Sequence, residues 1–488
     1  MSAARRILLL LATVGLMQAV PTYVAGAAGE DHRLRAAALT LGVGFVLVAS
    51  WLMGKLAAEV RLPKLTGYLT TVILAGPAVL DFLSIETVHG MALVNGVAIS
   101  LIALTAGSEM DFRAMRPLLR SIGWISLVAV LGTALALAAT AFALRPYIHF
   151  LDAMPLGQSL VVSLVVGVVV VAQSPAVVVA IRAETGADGP VARTVLGVVV
   201  LADLVVIVLF AITSSIAQAV LAGTVDVGAT AGRVSWELFG SLAIGTLVGM
   251  LFSLWLRFVG ARGLDLFVLT SCLVVAEVGR RVHLDPLLLM LAAGLWVENA
   301  SRAGARLRHA FEDASLPVYI LFFTVAGASI HLDVLPLVAL PAISLVLVRA
   351  VGLWGGTWVA AGIAQAPPAV RRWGGFGLIP QAGLAIALSL LFSRTFPSFG
   401  EEASALTLGI VAINELLAPA LMRWSLVRAG EARLAGDERW RARRADGGRG
   451  GRNGGHRARD RAAARDVDGR RDVLRPIGRP IGTASQGT

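Results

Sequence analysis

Charge is what this chain has least of. Only 15% of its 488 residues are Asp, Glu, Lys or Arg, against 57% hydrophobic, whereas soluble domains carry about 25% charged residues. Cysteine is scarcer still: Cys272 stands alone, inside an apolar run. A lone cysteine excludes an intramolecular disulfide framework and a cysteine-rich metal centre, and Cys272 reads as a small packing residue. The apolar runs also lack the alternation of a membrane β-barrel. What remains is an all-α polytopic membrane protein, in which each stretch of about 20 apolar residues can cross the bilayer core. The net charge of +11 does not indicate a nucleic-acid partner. Residues 431–488 hold fifteen Arg against eight Asp and Glu, so seven of the eleven surplus charges lie in that tail. The tail has too few large apolar residues to fold. It reads as a disordered Arg-rich cytoplasmic end, with anionic lipid as its alternative contact.

The N-terminus carries Arg5-Arg6, then ILLLLATVGLMQAV, then Ala25-Gly26-Ala27. Basic, apolar and small-residue parts in that order make residues 1–27 a candidate signal peptide, with an extra span as the alternative. Thirteen candidate spans follow, at 36–55, 65–80, 88–107, 121–144, 156–181, 191–215, 236–257, 263–279, 284–300, 315–332, 336–363, 374–393 and 402–424. With the cleaved N-terminus outside, the inside segments hold fifteen Lys and Arg and the outside segments seven. Cytoplasmic loops show that bias. The expected location is therefore the cell membrane, multi-pass, with the C-terminal tail in the cytoplasm.

The chain also repeats itself. RLPKLTGYLTTVILAGP, from Arg61, resembles RVHLDPLLLMLAAGLWV, from Arg281. LIALTAGSEMDF, from Leu101, resembles LFFTVAGASIHLDV, from Leu321, at nearly the same offset. Six spans lie on either side of the helix 236–257. A single linking helix reverses the entry side, so a first repeat at 36–215 and a second at 263–424 are expected to be inverted. Inverted repeats place a transporter's site at their interface, near the bilayer midplane.

Within LGVVVLADLVVIVLFAI, Leu196 to Ile212, one carboxylate interrupts the apolar residues: Asp203. A charge at that depth costs roughly 2.5–3.5 kcal/mol on insertion scales and marks an ion or proton pathway by default. The preceding span is broken at Ala172-Gln173-Ser174-Pro175, and its counterpart in the second half at Ile379-Pro380-Gln381-Ala382-Gly383. Proline removes an N–H and clashes one turn back. Paired interruptions at matching positions point to a binding site built from half-helix ends. Asp203, Ser174 and Gln173 are the candidate cation- and proton-binding residues, with unwound carbonyls completing an oxygen set suited to sodium. Pro175, Pro380 and Gln381 carry the breaks. Arg349 and Glu415 lie deep in later spans and read as charge-balancing groups, since half-helix ends carry about half a unit of charge each. Glu109 and Asp111 read as a solvated helix end, and Glu277, beside Arg280 and Arg281, as part of a plain surface pair.

These residues in this order resemble the monovalent cation–proton antiporter superfamily, in particular bacterial sodium/hydrogen exchanger-like members. The resemblance covers residues 36–425. It rests on Leu62-Pro63, Gly67-Tyr68, Gly76-Pro77, Thr105-Ala106-Gly107-Ser108-Glu109, Ser174-Pro175, Asp203, the FFTVAGASI segment, Arg349 and Ile379 to Gly383. It implies two crossing broken helices in a core that moves against a dimerising domain, hence a homodimer. It also implies an aspartate that exchanges protons for sodium or potassium, with no cofactor. The chain departs from that pattern at Ala202, where many relatives carry a polar residue, and at Gln173-Ser174-Pro175, where Thr-Asp-Pro is common. Both departures leave Asp203 as the one carboxylate there, so one-for-one exchange is the simplest expectation. The alternatives are a channel-like potassium efflux system and a non-transporting sensor on the same fold. No nucleophile–base set or metal-ligand cluster stands out, so enzymatic activity is not expected.

Overall fold

The computed structural model describes residues 10, 12–13, 32–60, 62–76, 80, 92–222, 232, 235–258, 264–282, 284–301, 318, 320, 322–323 and 338–432, with the side chains of 32–41, 92–95, 265, 280 and 394 excepted. Most of the signal-like segment, most of the candidate span 315–332 and the tail beyond Ala432 lie outside these residues. So does the FFTVAGASI segment beyond Phe323.

Every regular element among the described residues is helical. The longer ones, in chain order, are α1 (His32–Glu59), α2 (Lys64–Ala75), α3 (Ala92–Ser108) and α4 (Phe112–Ala143). Then come α5 (Leu156–Val171), α6 (Pro175–Thr185) and α7 (Pro190–Ala222). They are followed by α8 (Trp236–Phe258), α9 (Leu264–Arg281), α10 (Pro286–Ala300) and α11 (Ala339–Ile363). The last are α12 (Pro368–Leu378), α13 (Gly383–Thr395) and α14 (Gly400–Arg428). Seven of the described segments are long and apolar enough to cross a bilayer, and the α12–α13 pair adds an eighth bent by 44°. α3, α9 and α10 contain shorter apolar stretches.

Glycine sets how closely the helices meet. A Cβ on Gly107 of α3 would strike the carbonyl of Leu291 in α10, and one on Gly294 of α10 would strike the carbonyl of Leu104 in α3. On another face of α10, Gly245 and Gly249 of α8 lie against the carbonyls of Leu289 and Ala293. Apolar surface gains nothing by leaving lipid for protein, so membrane helices associate through such close backbone approach. α10 is thereby clamped between α3 and α8, which fixes where its first residues point. Val-rich α5 has no polar face because it needs none. Ten of its sixteen residues are buried, and Gly167 brings it against Ala134 and Ala138 of α4.

Candidate functional site

Both interruptions form where proline and glycine place them. Ala172, Gln173 and Ser174 are non-helical between α5 and α6, and residues 379–382 between α12 and α13. The two prolines act differently. Pro175 opens α6, where its missing N–H is of no consequence, and Ser174 caps that helix by accepting a hydrogen bond from the Val177 N–H at 3.3 Å. Pro380 lies inside its break, and α13 begins three residues later. The breaks touch: the Ser174 N–H donates to the Pro380 carbonyl at 3.0 Å.

At this crossing two helices end and leave carbonyls without intrahelical partners. Arg349, 0% exposed on α11, takes three of them. Its Nε donates to the Val170 carbonyl at 2.9 Å, its Nη2 to Ala172 at 2.8 Å and its Nη1 to Ile379 at 2.5 Å. A cation at the negative ends of two helix dipoles is electrostatically matched. Gln381 extends the set. Its amide donates to Val170 O at 3.0 Å and accepts from Asn414 of α14 at 2.9 Å. The break carbonyls expected to face a cation are thus partly engaged by protein donors.

The opposite, N-terminal ends of the half-helices line a cavity of about 190 Å³. Ser174, Pro175 and Ala176 border it from α6, and Gly383, Leu384 and Ala387 from α13. Asp203 borders it from α7 and Asp285 from the start of α10, while α3 supplies an apolar wall. Asp203 is 1% exposed, and neither of its carboxylate oxygens has a hydrogen-bond partner among the described residues. An unbonded buried carboxylate is costly, which marks it as an atom pair kept free for something else. Asp285 caps α10, its Oδ1 accepting from the Leu287 N–H at 2.7 Å and the Leu288 N–H at 3.1 Å.

The structure therefore brings Ser174, Pro175 and Asp203 together on the cavity and groups Arg349, Pro380 and Gln381 at the carbonyl side of the crossing. Gln173 is not a cavity-lining residue; its amide is buried with no partner on either atom among the described residues. Glu415, on α14 next to Asn414, is buried with neither oxygen partnered among the described residues. Asp285 is the residue that sequence reasoning missed. Its signal, an Asp-Pro pair opening an apolar run, is that of an ordinary helix cap. Glu109 also differs from expectation: it pairs at 2.6 Å with Arg182, a side chain only 8% exposed, and is no freely solvated end. Asp111 caps the start of α4 through the Arg113 N–H, and Arg281 pairs with Glu277 one turn away.

A model of the transmembrane sodium/hydrogen exchanger family matches residues 43–427 of this chain. Among solved structures, that of the sodium proton antiporter MjNhaP1 from Methanocaldococcus jannaschii at pH 8 is similar with a TM-score of 0.60, at 14% identity, over 81% of this chain and 97% of that one. An electron-microscopy map of the same antiporter matches with a TM-score of 0.60 at 14% identity, over 80% and 94% of the two chains. At that identity the likeness is one of fold. No curated protein sequence matches the chain.

Proposed function

The chain belongs to the transmembrane sodium/hydrogen exchanger family, and from that premise we propose that it is a secondary antiporter that exchanges a monovalent cation, sodium or potassium, for protons at Asp203. The observation that carries this reading is a carboxylate with two unbonded oxygens, buried at a cavity where two broken helices cross. Proton and cation compete for the same pair of oxygens. Loss of the proton creates the charge that draws in a dehydrated cation, and arrival of a proton expels it. Alternating exposure of that cavity to the two membrane faces then couples the fluxes.

The surroundings support such a cycle. Ser174 uses its hydroxyl oxygen as a helix cap and keeps a lone pair for a cation. Partial positive charge at the starts of α6 and α13 steadies the ionised carboxylate between its two loads. Arg349 neutralises the opposite helix ends, so the crossing holds together whichever load Asp203 carries. Glu415 is the second deep charge in this scheme, on the helix that follows the second break as α7 follows the first. Two interrupted pairs in matching order, meeting through Ser174 and Pro380, support the inverted arrangement of thirteen spans.

In proteoliposomes carrying a pH-sensitive dye, a sodium or potassium pulse should move protons through the unaltered protein. Exchange driven uphill by an imposed proton gradient separates an antiporter from a channel. Asp203→Asn keeps the shape and removes the exchangeable charge, so its signal should fall to that of empty vesicles. Undiminished exchange by that variant would overturn the reading.

A further inference from the structure

Two carboxylates line the cavity, and the cycle above uses one. Asp285 sits at the start of α10, held there by the glycine contacts of that helix with α3 and α8. Its backbone is fixed as well, since the Asp285 N–H donates to Ser241 Oγ at 2.9 Å. Among the described residues, both hydrogen bonds to its carboxylate end on Oδ1, which leaves Oδ2 for another partner. Across the same cavity Asp203 presents two buried oxygens that bond to no described residue. Among the described residues, no Lys, Arg or His side chain lines the cavity to compensate two carboxylates. Three helices begin at its wall, α6, α10 and α13, and each N-terminus contributes only about half a unit of positive charge. The pocket is thus short of positive charge by an amount that a small cation entering from water can supply. Meanwhile Ala202 and Gln173, the nearest chain positions to Asp203 and the first break, offer no carboxylate of their own.

We propose that Asp285 is a second cation-binding residue of this site, its Oδ2 and the Asp203 carboxylate together holding the transported monovalent cation. This rests on the exchange reading above. The labour is divided: Asp203 alternates between proton and cation, and Asp285 sets how tightly the cation is held. A carboxylate supplied from the second half of the chain also ties cation binding to the position of α10, so the bound cation bridges α7 and α10.

The competing role is that Asp285 merely caps α10. Asn and Ser cap helices as well as Asp does, so Asp285→Asn and Asp285→Ser keep the cap and remove the charge. The full-length protein is purified, its unfolding temperature measured, and proton flux followed in proteoliposomes over a range of sodium and of potassium chloride. Both variants should unfold within a few degrees of the parent and exchange at a similar maximal rate. Their apparent KM for the cation should rise by at least about tenfold, as expected on losing a charged ligand, and Asp285→Glu should recover part of it. Parental KM in both capped variants would overturn the proposal, as would a lowered maximal rate at unchanged KM. Asp203→Asn is run alongside. If that variant still exchanges, the antiporter reading itself fails; if it is inactive while the Asp285 variants match the parent, only the second ligand is lost.

Discussion

Arg349 shows most directly how one residue holds this fold at its weakest point. A broken membrane helix leaves carbonyls that water cannot reach, and Arg349 satisfies three of them, from both breaks, with one planar guanidinium. Leaving a buried polar group unpaired costs about 1–3 kcal/mol. Arg349→Met should therefore lower the unfolding temperature of the detergent-solubilised protein markedly and abolish exchange. Arg349→Lys should fall between, because an ammonium is a compact point donor and cannot copy the fork of the guanidinium. Parental stability in the Met variant would refute the structural role. Arg349 and Asp203 are legible in the sequence for one reason: each is a single charge inside a long apolar run, and such a charge needs a partner or a task. Asp285 is not legible in that way. It stands at the edge of a run, where acidic caps are commonplace, and only the packing of α10 against α3 and α8 reveals that this edge borders the same cavity as Asp203.

Elements are joined by caps that cross long stretches of chain. The carboxylate of Glu431, just beyond α14, accepts hydrogen bonds from the Val191 N–H at 2.7 Å and the Ala192 N–H at 2.8 Å, at the start of the helix that carries Asp203. Near the end of α6, Glu184 does the same for α2, accepting from the Lys64 N–H at 3.1 and 3.0 Å. A carboxylate at a helix N-terminus satisfies orphan donors and matches the dipole, and a good cap contributes about 0.5–2 kcal/mol. Truncation after Ala432 should leave the unfolding temperature unchanged, whereas truncation after Gly430 should lower it by several degrees, and Glu431→Ala should reproduce that loss. Equal stability of the two truncations would show the cap to be dispensable. The breaks themselves are legible because Pro175, Pro380 and Gly383 act on their own backbone within a few residues. The caps are not, since Glu431 serves an N–H some 240 residues away and no local pattern records such a partner.

For the whole molecule, the question is whether the first broken pair crosses the bilayer or dips in and returns. Leu156–Thr185 has 30 residues, which at 1.5 Å per residue reach about 45 Å, more than the roughly 30 Å apolar core. Its ends should therefore lie on opposite faces. Asp152 precedes it and is exposed; Asp188 follows it with a side chain 64% exposed. Arg182 and Arg193 flank the latter end, and Arg145 alone lies near the former, so the bias of basic residues predicts Asp188 on the cytoplasmic side and Asp152 outside. The chain suits a test by thiol labelling because Cys272 is its only cysteine and is buried. In a Cys272→Ala background, Asp152→Cys should react with a membrane-impermeant maleimide in intact cells, and Asp188→Cys only after permeabilisation. Asp188→Cys gives up ion pairs with Arg193 at 2.9 Å and with Arg182 at 3.4 Å, and Arg182 keeps its pair with Glu109 at 2.6 Å, so the fold should tolerate the change. Labelling of both positions from the same side would mean that the pair re-enters, and the inverted-repeat arrangement would have to be abandoned with it.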